Sequence, residues 1–179
     1  MGYAEASLLE PWGCVLASYT QRRRLVPKDG GVMWIIGRAG DEREYKFSTG
    51  LTAPATIILT DAPESVVKLA EKTSAKVVVR NGIGPNQFAD LSMEFTGGAG
   101  FDDIVMLDPR SADLVSDVAG YIIRRGSLNL VGQTPLDGLV NADVGRLHYD
   151  YIAFIGGQGP DIGASYGEER NRCELAAGG

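Results

Sequence analysis

The fold of this chain is indicated by the stretch Val32-Met33-Trp34-Ile35-Ile36-Gly37-Arg38-Ala39-Gly40-Asp41-Glu42. Five consecutive apolar residues end at a glycine, which is typical of a buried strand that leads into a tight turn. Parallel sheets that bind nucleotides often begin in this way, because glycine lets the backbone approach a phosphate closely. The stretch therefore predicts the first strand of a parallel sheet and marks its turn as a candidate phosphate site.

Further along the chain, strand-like and helix-like segments alternate. The strand-like segments are short and rich in Val and Ile: 32–36, 55–60, 76–80, 103–107, 127–131 and 151–155. Helices are predicted over 1–24, 62–72 and 111–125, the last beginning at a capping Ser111 and ending at Gly126. This alternation predicts an α/β fold: a doubly wound, mostly parallel sheet, Rossmann-like, of about six strands with helices on both faces.

Composition limits the classes of function. A chain of 179 residues with 44% hydrophobic and 22% charged residues is expected to form a single domain, and its net charge of -6 argues against nucleic acid or a membrane surface as partner. No apolar run approaches about 18 residues, so we expect no membrane span. The basic run at 21–24 is interpreted as a helix end that faces water. Two cysteines and one histidine supply no metal site, and a cytoplasmic location is expected.

The turn after the first strand departs from the dinucleotide-binding fingerprint G-x-G-x-x-G. When the pattern is aligned from Gly37, Ala39 takes the place of the second glycine and Glu42 that of the third. Asp41, Glu42 and Glu44 would then lie at the start of the expected helix, where their carboxylates oppose a pyrophosphate unless Arg38 or Arg43 compensates their charge. Gly37, Arg38 and Gly40 remain as candidate cofactor contacts, and binding is predicted to be weak or lost.

Asp61 points towards a dinucleotide instead. It ends the second strand 24 residues after Gly37, close to the place of the acid that binds the adenosine ribose. Such an acid favours NAD over NADP. The alternative is that Asp61 caps the helix that follows.

The ends of the later strands supply the remaining candidates. Ligands of doubly wound sheets bind at the carboxyl ends of the strands, near the point where the strand order reverses. The candidates there are Leu107, Asp108, Gly132, Gln133 and Gly156.

Several motifs resemble those of one enzyme family. The stretch Leu9-Glu10-Pro11-Trp12-Gly13-Cys14-Val15 resembles the helix that leads into the cofactor domain of medium-chain zinc alcohol and polyol dehydrogenases. The stretch Phe95-Thr96-Gly97-Gly98-Ala99-Gly100-Phe101-Asp102-Asp103 is similar to one in the branch that contains L-sorbose-1-phosphate reductase. Residues 126–132 and 147–151 continue the similarity, which runs in order from about residue 8 to residue 165.

This resemblance implies an NAD(P)-binding Rossmann domain of an oxidoreductase that acts on alcohols, polyols or sugar phosphates. It also implies that zinc is held by a separate catalytic domain, so no metal ligand is assigned on this chain. Glu10 matches a glutamate near the zinc of polyol dehydrogenases and is the one catalytic candidate; an ordinary acid in the first turn of a helix is the alternative. The chain alone is predicted to be inactive. Its expected partners are a small-molecule nucleotide, the remaining domains of the same protein and, as a homo-oligomer, other copies of itself.

Residues 166–179 are interpreted as an exit segment towards a following unit, so that the single domain 1–179 would be a fragment of a larger multidomain protein. Two other functions stay open. One is a non-catalytic Rossmann-like domain for structure or assembly. The other is a methyltransferase-like domain, whose S-adenosylmethionine carries no pyrophosphate for the acidic turn to repel.

Overall fold

The structure, a computed structural model, describes residues 2–20 and 23–167, with the backbone alone for residues 4 and 16–20. Its strands are β1 (Val32–Ile36), β2 (Thr56–Thr60), β3 (Lys76–Val79), β4 (Phe101–Leu107), β5 (Ile122–Val131) and β6 (Ala153–Gly157). They form one six-stranded sheet in the order β3-β2-β1-β4-β5-β6, and every pairing is parallel. The predicted doubly wound, Rossmann-like α/β fold is confirmed.

The helices are α1 (Tyr3–Ser7), α2 (Leu9–Thr20), α3 (Glu64–Glu71), α4 (Phe88–Thr96), α5 (Ala112–Ala119) and α6 (Val144–Tyr149), with short 3₁₀ turns at Pro85–Gln87 and Ile162–Ser165. The sequence did not indicate α4 or α6. The predicted cap of α5 is confirmed, since the Ser111 hydroxyl accepts a hydrogen bond from the backbone of Leu114. No helix of the described residues is long and apolar enough to cross a membrane.

The sheet is covered on both faces, and alternate residues of each strand face opposite sides. One face holds Trp34 and Ile36 of β1 beneath α4 and α5. The other holds Met33 and Ile35, and it is covered by α3, by the 3₁₀ turn at Ile162–Ser165 and by a long irregular segment after β1. Burial on both faces explains why β1 is apolar at every position.

The connection from β1 to β2 differs from the prediction. Asp41, Glu42 and Glu44 were placed at the start of a helix, but residues 37–55 contain no helix. Gly40 and Gly50 have φ of +74° and +90°, a conformation that interrupts helical geometry. In place of a helix, Tyr45 and Leu51 are buried individually against the sheet.

Two further helix predictions need correction. The single leading helix over 1–24 is two helices, because the N–H of Leu8 bonds to Glu5, three residues back, and so tightens the chain. The basic run at 21–24 does not simply face water: Arg24 is half-buried and forms an ion pair with Asp103 at 2.9 Å. Residues 21 and 22 of that run lie outside the described part of the chain, as do most of the exit segment (168–179) and Cys173.

The helix predicted over 111–125 is also too long. It ends at Ala119, and Ile122 begins β5 by pairing with Phe101 of β4. The β-branched residues Ile122 and Ile123 gain more from the sheet than from a further helical turn.

Candidate functional site

Most of the predicted site residues lie at the carboxyl edge of the sheet. The strand order reverses between β1 and β4, so the switch point lies where Ile36 and Leu107 end their strands. Arg38 follows β1 and Asp108 follows β4 there. Gly132 follows β5, beside Asp108.

The two glycines of the first turn, Gly37 and Gly40, are explained by the course of the backbone. A Cβ on Gly37 would lie 2.3 Å from the carbonyl oxygen of Asp61, so no side chain fits where β1 and β2 end. Gly40 takes φ +74° in a turn that is closed by a hydrogen bond from the Asp41 N–H to the Arg38 carbonyl, 3.0 Å. Because no helix follows this turn, the turn presents no helix N-terminus to a pyrophosphate.

A cluster of charges occupies the switch point, and Asp108 is at its centre. The Asp108 side chain is fully buried, and its Oδ2 lies 2.7 Å from Arg43, 3.0 Å from Arg110 and 3.6 Å from Arg38. Burial alone would raise the pKa of Asp108, but hydrogen bonds from Arg43, Arg110 and Thr134 hold that pKa below its usual value. Asp108 is therefore a charged anchor for arginines from two neighbouring strand ends.

Asp41 is the second buried carboxylate of this cluster. Both of its oxygens accept hydrogen bonds from Arg43, at 2.8 and 2.7 Å, and Oδ2 also accepts one from the Tyr45 hydroxyl at 2.8 Å. The bond with Arg43 lowers the pKa of Asp41 to about 2. Burial, together with the hydrogen bond that Tyr45 donates to Asp41, raises the pKa of Tyr45 well above its usual value, so the phenol stays a donor. The expected repulsion of a pyrophosphate by Asp41 is thus corrected, since Arg43 neutralises its charge.

Asp61 has a partner within the protein. Its Oδ1 accepts a hydrogen bond from the Gly82 N–H at 3.0 Å, and its own N–H bonds to the side chain of Asn81. This pair of bonds joins the ends of β2 and β3 and holds Asp61 at φ +47°. The alternative in which Asp61 caps the next helix is wrong, because Pro63 is the cap residue of α3.

Two predicted glycines border an open depression beyond the charged cluster. Its volume is about 520 Å³, and it is lined by Leu130, Gly132, Gly156, Gly157, Gln158 and Gly159. A Cβ on Gly132 would lie 2.9 Å from the Cα of Asp108, and one on Gly156 would lie 2.7 Å from the Leu130 carbonyl. Both glycines are thus required by close backbone packing. At these two positions the ends of β5 and β6 therefore carry no side chain that could fill the depression.

The remaining candidates are Leu107, Gln133 and Glu10. Leu107 is buried in the core, and Gln133 is exposed just after Gly132. Glu10 is exposed on α2 and accepts a hydrogen bond from Cys14, 3.1 Å away in the same helix. No group of three or more His, Cys, Asp or Glu side chains in the described ranges could hold a metal ion.

Sequence reasoning named Arg43 only as a charge that could compensate the acidic turn, and it missed Arg110. A usable signal was present, because Asp-x-Arg occurs twice, as Asp41-Glu42-Arg43 and as Asp108-Pro109-Arg110. In both copies the arginine bonds back to the aspartate two residues earlier. Since one copy follows β1 and the other β4, the two meet at the switch point.

The fold and this edge define the chain as a Rossmann-like α/β domain. No family model and no curated protein matches it. Among solved structures, it is similar to a protein assigned as a zinc-binding dehydrogenase from Clostridium scindens, with a TM-score of 0.51 and 19% identity over 85% of this chain and 42% of that one. An alcohol dehydrogenase from Aeropyrum pernix has a TM-score of 0.48 and 23% identity over 81% and 38% of the two chains.

A protein assigned as a zinc-binding dehydrogenase from Sinorhizobium meliloti, solved with NADP, has a TM-score of 0.49 and 16% identity over 87% of this chain and 45% of that one. This chain therefore spans less than half the length of each of these three proteins. At 19% identity, the similarity to the Clostridium scindens protein shows the fold alone.

Proposed function

We propose that this chain is the Rossmann-like domain of an oxidoreductase of the medium-chain zinc alcohol and polyol dehydrogenase superfamily, in the branch that contains L-sorbose-1-phosphate reductase, and that its own dinucleotide binding is weak or lost. The motifs at 9–15 and 95–103 support the family, together with the strand order. NAD is the proposed nucleotide where any is retained, with NADP less favoured.

One observation carries the proposed loss of binding. Arg43 reaches across the switch point and bonds to Asp41 and Asp108, in a connection that forms no helix. A pyrophosphate would need the N–H groups of a helix N-terminus at this place. In addition, one oxygen of Asp61, the carboxylate that would bind the ribose, already accepts a hydrogen bond from the Gly82 N–H.

The same observation supports the alternative, a non-catalytic domain that serves structure or assembly. In either case we propose that the remaining domains of a longer protein supply zinc and any catalytic acid, with Glu10 contributing only beside them. We further propose a cytoplasmic protein that forms homo-oligomers. Polyol oxidation is not expected from this chain alone, because its described residues supply no metal site.

Calorimetric titration with NADH and NADPH tests the proposal. We expect no binding or a dissociation constant of about 1 mM or weaker for both cofactors, which corresponds to about 4 kcal/mol or less. The variant Glu42→Gly, which restores the third glycine of the fingerprint, should not improve binding, because the missing helix is the cause. Micromolar binding of either cofactor to the unmodified chain would contradict the proposal. S-adenosylhomocysteine, titrated in parallel, tests the methyltransferase-like alternative.

A further inference from the structure

Three arginines at the switch point are layered over two buried carboxylates. The side chains of Asp41 and Asp108 are 2% and 0% exposed, whereas those of Arg38, Arg43 and Arg110 are 40%, 40% and 54% exposed. The carboxylates thus lie on the protein side and the guanidinium groups on the solvent side. This layer of positive charge faces outward at the edge where ligands of parallel sheets bind.

The guanidinium groups have N–H donors that these ion pairs do not use. Each has five N–H bonds. Arg43 uses its Nε and one terminal nitrogen on Asp41 and Asp108, and Arg110 likewise uses Nε and one terminal nitrogen on Asp108. The Nε of Arg38 is buried and has no hydrogen-bond partner among the described residues. A buried donor without an acceptor is unfavourable, and a slight turn of the Arg38 side chain would let an incoming oxyanion satisfy it.

The charge balance favours an anion. Three arginines against two aspartates leave a local charge of +1 in a chain whose net charge is -6. Glu42 and Glu44, in the same connection, form no ion pair with these arginines in the part of the chain that the structure describes. Because Asp108 already holds the three guanidinium groups close together, little conformational freedom would be lost on binding.

We propose that Arg38, Arg43 and Arg110 form a binding site for a compact dianion, either inorganic phosphate or the phosphate group of a small ester. Planar guanidinium groups match the tetrahedral oxygens of phosphate by paired hydrogen bonds. Side chains, and not a helix N-terminus, would supply the donors here. The site is therefore suited to a single phosphate group and goes beyond the proposed loss of dinucleotide binding.

Phosphate titration of the 179-residue chain, followed by NMR of the arginine Nε–H signals at constant ionic strength, tests this proposal. We expect saturable shifts of the Arg38 and Arg110 signals with inorganic phosphate or with glycerol 3-phosphate. Binding of both would indicate an ester-tolerant site, and binding of inorganic phosphate alone a site for the free ion. Potassium chloride, acetate and glycerol should produce no saturable shift.

The double variant Arg38→Ala/Arg110→Ala should weaken phosphate binding by about tenfold or more, since each arginine contributes charge-assisted hydrogen bonds. Arg43 is kept because it neutralises Asp41. Arg80→Ala is the matched control: Arg80 is an arginine 44% exposed that follows β3, two strands away from β1, and pairs there with Glu94, so its loss should leave phosphate binding unchanged. Should the double variant unfold below 25 °C, Arg110→Ala alone serves, because it is the most exposed of the three arginines.

The absence of saturable shifts, or equal phosphate affinity in the double variant and the unmodified chain, would overturn the proposal. An equal loss in Arg80→Ala would also overturn it, because the effect would then be one of net charge. NADH separates this proposal from the proposed function. Micromolar NADH binding alongside phosphate binding would contradict the loss of dinucleotide binding and leave the phosphate site standing.

Discussion

At the carboxyl edge, the contacts of a single side chain decide which groups remain available to a ligand. Arg43 is the clearest case, because it bonds to Asp41, which is close in sequence, and to Asp108, which follows a different strand. The sequence offered Arg43 as a possible compensating charge for the acidic turn, but it did not predict the bond from Arg43 to Asp108. Asp61 shows the same limit, since its position in the sequence suited a ribose while its side chain bonds to Gly82.

The free energy of unfolding of this chain should depend on pH through the Asp41–Arg43 pair. The pKa of Asp41 is about 2 in the folded chain and about 3.9 in an unfolded one, so the unfolded state binds the proton more readily. The contribution of the pair is therefore complete above about pH 5 and is lost as the pH falls towards 2. In Asp41→Asn, the free energy of unfolding should fall less steeply over this range than in the unmodified chain, as measured by urea denaturation.

Tyr45→Phe is the control for that measurement. It removes the weaker of the two side-chain bonds to Asp41, so its slope should lie between those of the unmodified chain and Asp41→Asn. An Asp41→Asn slope equal to that of the unmodified chain would show that the pair does not lower the pKa in solution.

Individual elements depart from the expected pattern where the chain has to turn. The start of β5 is one such place, because Phe101 pairs with Ile122 and Asp103 with Ser127, so residues 123–126 bulge opposite Asp102. Arg125 lies in this bulge at φ +62°. Sequence periodicity extended α5 through this region, because a bulge interrupts the alternation by which a strand is recognised.

Replacing Arg125, the strained residue of the bulge, with glycine should relieve its backbone strain. Arg125→Gly removes a left-handed conformation that is costly for a side chain, whereas Arg124→Gly, one residue earlier, only weakens a strand. Both arginines lie 5.7 Å from the ring of Tyr151, so each variant loses one equivalent cation–π contact. We expect Arg125→Gly to be more stable than Arg124→Gly by about 1 kcal/mol in urea denaturation. Equal stability of the two variants would show that the bulge carries no strain.

At the scale of the whole molecule, one buried carboxylate joins distant parts of the chain. Asp103, 1% exposed, forms an ion pair with Arg24 and accepts hydrogen bonds from the hydroxyls of Ser127 and Tyr166. Burial and the nearby charge of Asp103 raise the pKa of Tyr166 above its usual value, so it remains a donor. This group connects the leading segment, β4, β5 and the last described turn.

Asp103→Asn should therefore destabilise the chain by about 3 kcal/mol, because it leaves the charge of Arg24 without its ion-pair partner and disturbs two buried hydroxyls. Asp117→Asn, an exposed aspartate near the end of α5, should change stability by no more than about 0.5 kcal/mol. The measurement is the free energy of unfolding in urea at pH 7. A similar small change in both variants would mean that Asp103 adds nothing beyond packing.

By itself, the sequence determined the parallel sheet and most of its strands. Apolar runs such as Val32–Ile36 must be buried on both faces, and only a sheet covered by other layers provides that. It also placed Gly37, Asp108 and Gly132 at strand ends, because the ends follow directly from the limits of those runs.

Only the tertiary structure decided what the carboxyl edge contains. Arg43 reaches Asp108 because the strand order places β1 beside β4. The Asp-x-Arg pattern encodes the local pair within each copy, but not the contact between the two copies. The missing helix after β1 has the same origin. Tyr45 and Leu51 each pack separately against the sheet, on surfaces that form only when distant segments come together. They do not follow the periodic spacing of an amphipathic helix.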